Sequence, residues 1–354
     1  MSSNYEEALS FYAQNLYNKN LPVIYSLKHF SMMVDIPYKK IKDIIKNRKD
    51  FYNTFYIKKK NRGLRQIKAP IDELRYLQKV ILDNILNKIP LDDSCMSYRQ
   101  NISIYDNASI HQNQPILYHF DLYKFFDTIT EKRIYGFFRF LGYHPNLALD
   151  FAKLTTIPLS SEYIQMISDD ETSPPFFPLD KNLGRLPQGA PTSPMLSNII
   201  LNKVDIRFRN LAKKQNINYS RYADDLIFSG QKKNLPSKNF IKQIITEEGF
   251  FCNDKKTKTM IKGQKQYVTG LTVTDGVHVP KKYKKDIINA LYYCQKYGVQ
   301  SHLKKINSNK FGFKDWLLGK IFFVKSIEPT LGNKFLNQFN SIDWVGLVKA
   351  RDDL

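Results

Sequence analysis

The chain has 354 residues, enough for two or three domains or subdomains at ~150 residues each. Hydrophobic residues make up 42% and aromatics 14%, which excludes a disordered protein. Lys and Arg number 54 against 33 Asp and Glu, a net charge of +21 that favours a polyanionic partner, nucleic acid or an acidic membrane surface, although a Lys-rich host proteome gives the same balance.

Cys95, Cys252 and Cys294 are far apart and form no CxxC pair, so neither a zinc site nor a disulfide framework is expected, and a reducing cytoplasm fits. The first residues lack the basic start and apolar stretch of a signal peptide. No apolar run approaches the ~20 residues that span a bilayer. A soluble, cytoplasmic protein without a membrane partner is the expectation.

In chain order, residues 5–50 read as an N-terminal helical region with a turn near Asp35. A strand over 55–58, a turn at 61–63 and a strand over 65–68 follow. Pro70 then opens a helix through Ile89, with Leu74, Leu77, Ile81 and Ile85 at helical spacing. Residues 39–68 hold 12 basic residues against Asp43 and Asp50, interleaved with Phe51, Tyr52, Phe55 and Tyr56. Such a mixture suits a nucleic-acid groove, and a solvated lysine face is the plain alternative.

Residues 116–122 read as a strand ending in the carboxylate Asp121. Thr130 caps a helix that buries Ile134, Phe137, Phe138 and Leu141 and stops at Gly142. Residues 155–183 hold five acids and four prolines against Lys181, and read as a solvated surface excursion. Ser193-Pro194 starts a helix with a stripe of Leu196, Ile200, Val204, Phe208 and Leu211. Residues 219–229 read as two short strands around an acidic turn. Residues 251–285 carry nine lysines against Asp254 and Asp275. Residues 266–279 read as strand with a turn at Asp275-Gly276, and from Lys281 the pattern is helical and basic.

Asp-Asp occurs at 92–93, 169–170, 224–225 and 352–353, so the dipeptide alone carries no signal. Only Asp224-Asp225 lies between two apolar half-strands, where paired carboxylates repel each other unless a cation sits there. If the Asp121 strand pairs beside this hairpin, three carboxylates converge. Hard oxygen ligands of that kind bind Mg²⁺. Two ions ~4 Å apart stabilise the attacking and leaving oxygens of an in-line phosphoryl displacement. Leu186 to Pro194, "LPQGAPTSP", is a shaped turn leading into a helix N-terminus, able to approach a base and sugar closely.

The set "FDLYKFFDTI", "LPQGAPTSPMLSN" and "RYADDL" resembles, in order and spacing, the palm motifs of reverse transcriptases. "FYNTFYIKKKNRGLRQIKAPIDELRYLQ" resembles their fingers motifs, and "NDKKT" at 253–257 their NxxKT element. Asn107 to His111 resembles the NAxxH signature of retron reverse transcriptases, and Val268-Thr269-Gly270 their VTG signature.

The resemblance implies an α+β right-hand polymerase: a helical region (1–50), fingers (51–115), a palm (116–275) with an acidic insertion (155–183), and a helical thumb (276–354). The palm is a small antiparallel sheet backed by helices. It implies that Asp121, Asp224 and Asp225, with the Leu122 carbonyl, hold two Mg²⁺ ions. Arg65 and one of Lys58, Lys59 and Lys60, with Lys59 preferred, grip the triphosphate. Phe126 stands at the steric-gate position that selects dNTPs, its alternative being a core phenylalanine. Gln188 meets the nucleotide or template base, and Tyr222 lines the primer terminus. Asn107 and His111 bind the structured RNA or brace the fold. Thr269, Lys281, Lys282, Lys284 and Lys285 track the duplex, and Trp316 belongs to the thumb core.

Implied partners are a structured noncoding RNA with its cDNA (msDNA), dNTP substrates and an effector protein. The implied activity is RNA-directed DNA synthesis from an internal guanosine 2′-hydroxyl, with a role in anti-phage defence. The alternatives are another bacterial reverse transcriptase, of the group II intron or abortive-infection type, and a non-catalytic RNA-binding scaffold.

Overall fold

Helices with one apolar stripe alternate with short strands in the computed structural model, which describes residues 2–58, 64–170, 173–174, 177, 179–306 and 312–344. The N-terminal helices are α1 (Ser2–Asn18), α2 (Leu27–Met33) and α3 (Tyr38–Lys46). The Ser26 hydroxyl caps α2 by accepting from the His29 amide, and α3 buries Ile41 and Ile44. Strands β1 (Tyr52–Lys58) and β2 (Leu64–Pro70) pair antiparallel from Tyr52↔Pro70 to Lys58↔Leu64. Both run longer than the sequence pattern suggests, because Pro70 closes the ladder instead of opening a helix. Helix α4 (Asp72–Asn84) buries Leu74, Leu77 and Ile81. It stops short of Ile89 because Ile85 leaves helical dihedrals (φ −120°, ψ −61°), and a 3₁₀ turn, Leu86–Lys88, follows.

Next come α5 (Ile104–Ser109), β3 (Ile116–Asp121), α6 (Phe125–Thr128), α7 (Glu131–Leu141) and α8 (Pro145–Thr155). A reciprocal Ser103/Asp106 capping box starts α5. Thr130 caps α7, and Gly142 ends it in the left-handed region, as the sequence predicts. Then follow β4 (Ile157–Pro158), α9 (Ser161–Ser168), β5 (Gly184–Arg185) and the long α10 (Ser193–Gln215). Thr192, not Ser193, is the N-cap residue of α10, and Pro194 falls in its first turn. Strands β6 (Asn218–Tyr222) and β7 (Asp225–Gly230), α11 (Lys238–Glu247), β8 (Lys258–Ile261), β9 (Tyr267–Val268) and β10 (Leu271–Thr272) lead to helices α12 (Lys281–Tyr297), α13 (Val299–Lys305), α14 (Phe313–Ile327) and α15 (Pro329–Asn340).

The principal sheet has the order β6-β7-β3-β8, so β3 lies between the second strand of the hairpin and β8. With helices and small antiparallel pairings in separate runs, the chain is α+β.

The chain divides into two units. One comprises 1–102, 118–228 and 234–258. Its core joins Leu77 and Ile81 of α4, Phe120 of β3, Phe138 of α7, Phe151 of α8, Phe208 of α10 and Phe228 of β7. Phe228 takes Phe208 edge-on at 5.0 Å and Phe120 at 6.0 Å, the geometry the ring quadrupole favours. The other unit comprises 103–117, 229–233 and 259–354. There α12, α14 and α15 bury Leu291, Leu317, Ile321, Val324 and Phe335. A Cβ on Gly332 would fall 2.2 Å from the Lys325 Cα, so only glycine lets α15 lie this close to α14. Trp316 is 38% exposed and packs on Phe313 at the surface, outside the core expected for it.

The 155–183 segment departs from the solvated excursion expected. It contains α9, and Leu159, Ile167 and Phe177 bury themselves around Tyr123. The Tyr163 hydroxyl donates to Asp127 Oδ2 at 2.7 Å, and the Tyr123 hydroxyl to Asp170 Oδ2 at 2.9 Å. The acids dominate the composition, but the apolar residues at 159, 163, 164 and 167 sit at helical spacing and decide the structure.

Candidate active site

The hairpin tip is built from below. Arg221 on β6 and Asp205 on α10 form a fully buried ion pair with a 2.6 Å contact. Burial works against the arginine charge and the Asp205 carboxylate outweighs it, so the guanidinium stays charged. The same guanidinium donates to the Ala223 carbonyl and to Asn198 Oδ1, both at 3.0 Å. Ala223 takes φ +56°, and its amide donates to Ser97 Oγ at 2.8 Å. A positive φ at the first of two central residues makes a tight hairpin turn, and here buried hydrogen bonds hold a non-glycine in it. Asp224 and Asp225 are thereby fixed at the tip.

Asp121 ends β3 beside that hairpin. The next amide, Leu122 N–H, donates to the Asp224 carbonyl at 2.9 Å. β3 does pair beside the hairpin, and Asp121 is therefore brought to the tip that carries Asp224 and Asp225. Burial, then the charges of Asp225 and Asp121, push the Asp224 pKa up to about 6. Burial also raises Asp121, against the pull of Lys256.

Two further residues complete the cluster. Lys256 Nζ lies 2.8 Å from Asp121 Oδ2, placed there because the Asn253 amide donates to the Asp121 carbonyl at 2.7 Å. His119 Nε2 lies 2.7 Å from Asp225 Oδ1. Burial opposes charge on His119, and the Asp225 hydrogen bond outweighs it, raising the pKa. The NxxKT motif contains Lys256 but does not by itself give that lysine a role, and no motif marks His119 as a site residue. The signal for His119 is its place two residues before Asp121, on the same face of the strand.

No group of three or more His, Cys, Asp or Glu among the described residues is arranged as a metal cage. The donor chemistry nevertheless fits a hard divalent ion: Asp121 Oδ1 is buried with no hydrogen-bond partner, and an amine already answers the neighbouring Oδ2.

The other expected residues are distributed as follows. Leu122 is buried. Arg65 is exposed on β2 opposite Ile57, and Lys58 is exposed at the end of β1. Lys59, with Lys60, lies outside the described residues. Phe126 is half-buried in α6, against Phe125 at 5.3 Å. Gln188 is half-buried, and its carbonyl accepts from the Lys68 amide at 2.7 Å. The following Gly189 has φ +122°, and a Cβ there would meet Ile67 Cγ2 at 2.9 Å and the Lys68 carbonyl at 3.0 Å. The motif's glycine thus seats the turn on β2. Tyr222 is half-buried at the end of β6. Tyr98, absent from the sequence reading, takes φ +56° with its ring 49% exposed, and it lies within electrostatic reach of Asp224, Tyr222 and Arg65.

The two signature segments meet each other. The Thr269 hydroxyl donates to the Ile104 carbonyl at 3.2 Å, at the start of the helix that carries Asn107. Asn107 and His111 are fully buried, which corrects their assignment as RNA contacts: neither has surface to offer, and His111 Nδ1 lies 2.7 Å from Ser229 Oγ. Burial lowers the His111 pKa to about 3. Lys281, Lys282 and Lys285 are exposed on the first turns of α12. Lys284 differs: its amine lies 3.0 Å from both oxygens of Glu328, inside its own unit.

The reverse transcriptase (RNA-dependent DNA polymerase) family matches residues 57–291. The retron Ec86 reverse transcriptase of Escherichia coli is 30% identical over 296 residues, covering 82% of this chain and 85% of that one. The retron Mx162 reverse transcriptase of Myxococcus xanthus is 28% identical over 306 residues, 82% of this chain and 61% of its own length. A solved foamy viral protease-reverse transcriptase in complex with double-stranded DNA is 17% identical, covering 80% of this chain and 39% of that one, with a TM-score of 0.38. The chain belongs to the reverse transcriptase family of RNA-directed DNA polymerases, in its bacterial retron branch.

Proposed function

We propose that Asp121, Asp224 and Asp225 are the catalytic carboxylates of this polymerase and that, with the Leu122 carbonyl, they hold two Mg²⁺ ions. What carries this reading is the meeting of Asp121 with the hairpin tip, through the 2.9 Å bond from the Leu122 amide to the Asp224 carbonyl. Bound ions would lower the pKa of the primer hydroxyl and neutralise the triphosphate. The chain's own residues do the rest. The hydroxyl oxygen attacks the α-phosphorus, forming the new phosphodiester as the bond to pyrophosphate breaks. Arg65 and Lys59 hold the triphosphate, a guanidinium being suited to bidentate phosphate contact. The Phe126 ring excludes a 2′-hydroxyl, Gln188 meets the nucleotide, and Tyr222 lines the primer end. Lys256, its amine 2.8 Å from Asp121, stands where the negative charge of the substrate gathers.

On the wider role, the template is a structured noncoding RNA and the product a branched msDNA begun from an internal guanosine 2′-hydroxyl. The enzyme acts with an effector protein in anti-phage defence in the cytoplasm. Fingers at 51–115, palm at 116–275 and thumb at 276–354 organise this work, with Thr269, Lys281, Lys282 and Lys285 toward the duplex. Support comes from the NAxxH and VTG signatures and from the retron relatives. The test is the D224A/D225A variant. It should lose extension of oligo(dT) on poly(rA) while keeping RNA affinity. Extension at the wild-type rate refutes the site, and recovery of only linear cDNA with the native protein refutes the branched product.

A further inference from the structure

A cleft of about 670 Å³ opens beside α3, lined by Lys39, Lys42 and Lys46 of that helix, by Arg48, and by Asp150 and Lys153 of α8. Positions 39, 42 and 46 share one helix face and span about 10 Å along its axis. Lys39, Lys42 and Lys46 are exposed, and none of the four lysine amines is in an ion pair with a described residue. Their neighbour Lys40, on another face, is engaged by Glu73 at 3.3 Å. Arg48 is anchored by Glu131 and by the Thr156 hydroxyl, which makes one wall of the cleft rigid. The acids answering this charge are Asp43, which accepts from the Asn47 side chain, and half-buried Asp150. Burial raises the Asp150 pKa against the pull of Lys153 and Lys42, which weakens it further as a counter-charge.

Four amines held around one concavity repel each other unless an anion joins them. The Lys42 amine also sits 5.4 Å from the centre of the Tyr38 ring, which is 37% exposed at the start of the same helix. Amines in a row beside an accessible ring recognise a nucleic-acid backbone with an unstacked base.

We propose that this cleft is a second RNA site, far in sequence from the catalytic carboxylates, that grips the phosphodiester backbone of the folded RNA the enzyme copies. The inference rests on the reading that a structured RNA is the template. It gives a role to the basic residues from Lys39 to Lys49, which precede the polymerase motifs.

The test uses the full-length protein, a fluorescein-labelled RNA hairpin, and ATP as the free-nucleotide probe. K42A/K46A/K153A should weaken hairpin binding on the order of tenfold or more and shrink the slope of log affinity against log salt by about two to three. Extension of oligo(dT) on poly(rA) should be unchanged. K42R/K46R/K153R should restore the affinity, and the charge-matched K79A/K213A/K214A should keep it. Hairpin binding by the cleft variant with wild-type affinity and salt slope overturns the proposal. So does loss of ATP binding with the hairpin unaffected, which would make this a nucleotide site, and so does displacement of the hairpin by poly-glutamate from the wild type but not from the cleft variant, which would make it a peptide site. Failure of the wild type to extend oligo(dT) would sink the polymerase reading instead, whichever way the hairpin binds.

Discussion

Lys256 Nζ lies 2.8 Å from Asp121 Oδ2, so a lysine from the segment before β8 answers the carboxylate that ends β3. The lysine side chain is 60% exposed, the carboxylate 8%. Substituting an exposed side chain costs the fold little, whereas losing a charge-assisted hydrogen bond at a reacting centre is felt on the order of 10- to 100-fold. K256M should therefore keep the wild-type melting temperature while single-turnover nucleotide addition slows by that factor. Equal losses in melting temperature and rate would make Lys256 a structural residue.

Arg221 and Asp205 hold the hairpin from a site with no solvent access. Removing one partner of such a pair leaves an uncompensated buried charge, at a cost of about 3–5 kcal/mol. R221M and D205N should each lower stability by about that amount in urea unfolding. A loss below about 1 kcal/mol for R221M would mean the hairpin does not depend on the pair.

Gly189 fixes the turn that follows Gln188. With φ +122° and neighbours at 2.9 and 3.0 Å, G189A meets backbone strain and a steric clash together. The expected result is a raised KM for dNTP with kcat changed less, because the turn shifts from β2 while the carboxylates stay in place. Wild-type kinetics would show that the turn tolerates the shift.

His111 is neutral when folded, its pKa lowered to about 3 by burial, against an ordinary value near 6.5. Above pH 6.5 the folded and unfolded forms are both neutral and the residue adds no pH dependence. Below it the unfolded chain takes a proton that the folded chain refuses, so stability falls by about 1.4 kcal/mol per pH unit toward pH 3. Urea unfolding at pH 7.5 and 5.5 should show this loss, and H111N, although less stable at neutral pH, should show a shallower one. Parallel pH dependences in the two proteins would contradict the buried, neutral state.

Much of the site was legible in the sequence because its parts are contiguous motifs with fixed geometry. Asp224-Asp225 between apolar half-strands, Asp121 at a strand end and the glycine of "LPQG" each announce a local conformation. Contacts made across the fold were not legible. His119 on Asp225 and Arg221 on Asp205 join residues 106 and 16 positions apart, and local sequence names neither carboxylate as the partner. The 155–183 segment misled because its acids outnumber the four apolar residues that dock α9. Asn107 and His111 misled for a related reason: a signature invites a ligand, whereas these side chains are buried beside the Thr269–Ile104 contact.

The most direct measurement replaces Mg²⁺ by Fe²⁺ and maps where locally generated hydroxyl radicals cut the polypeptide. The account predicts cuts around residue 121 and around residues 224–225, both abolished in D224A/D225A. Cuts confined to one of the two, or persisting in the double variant, would contradict a shared ion site.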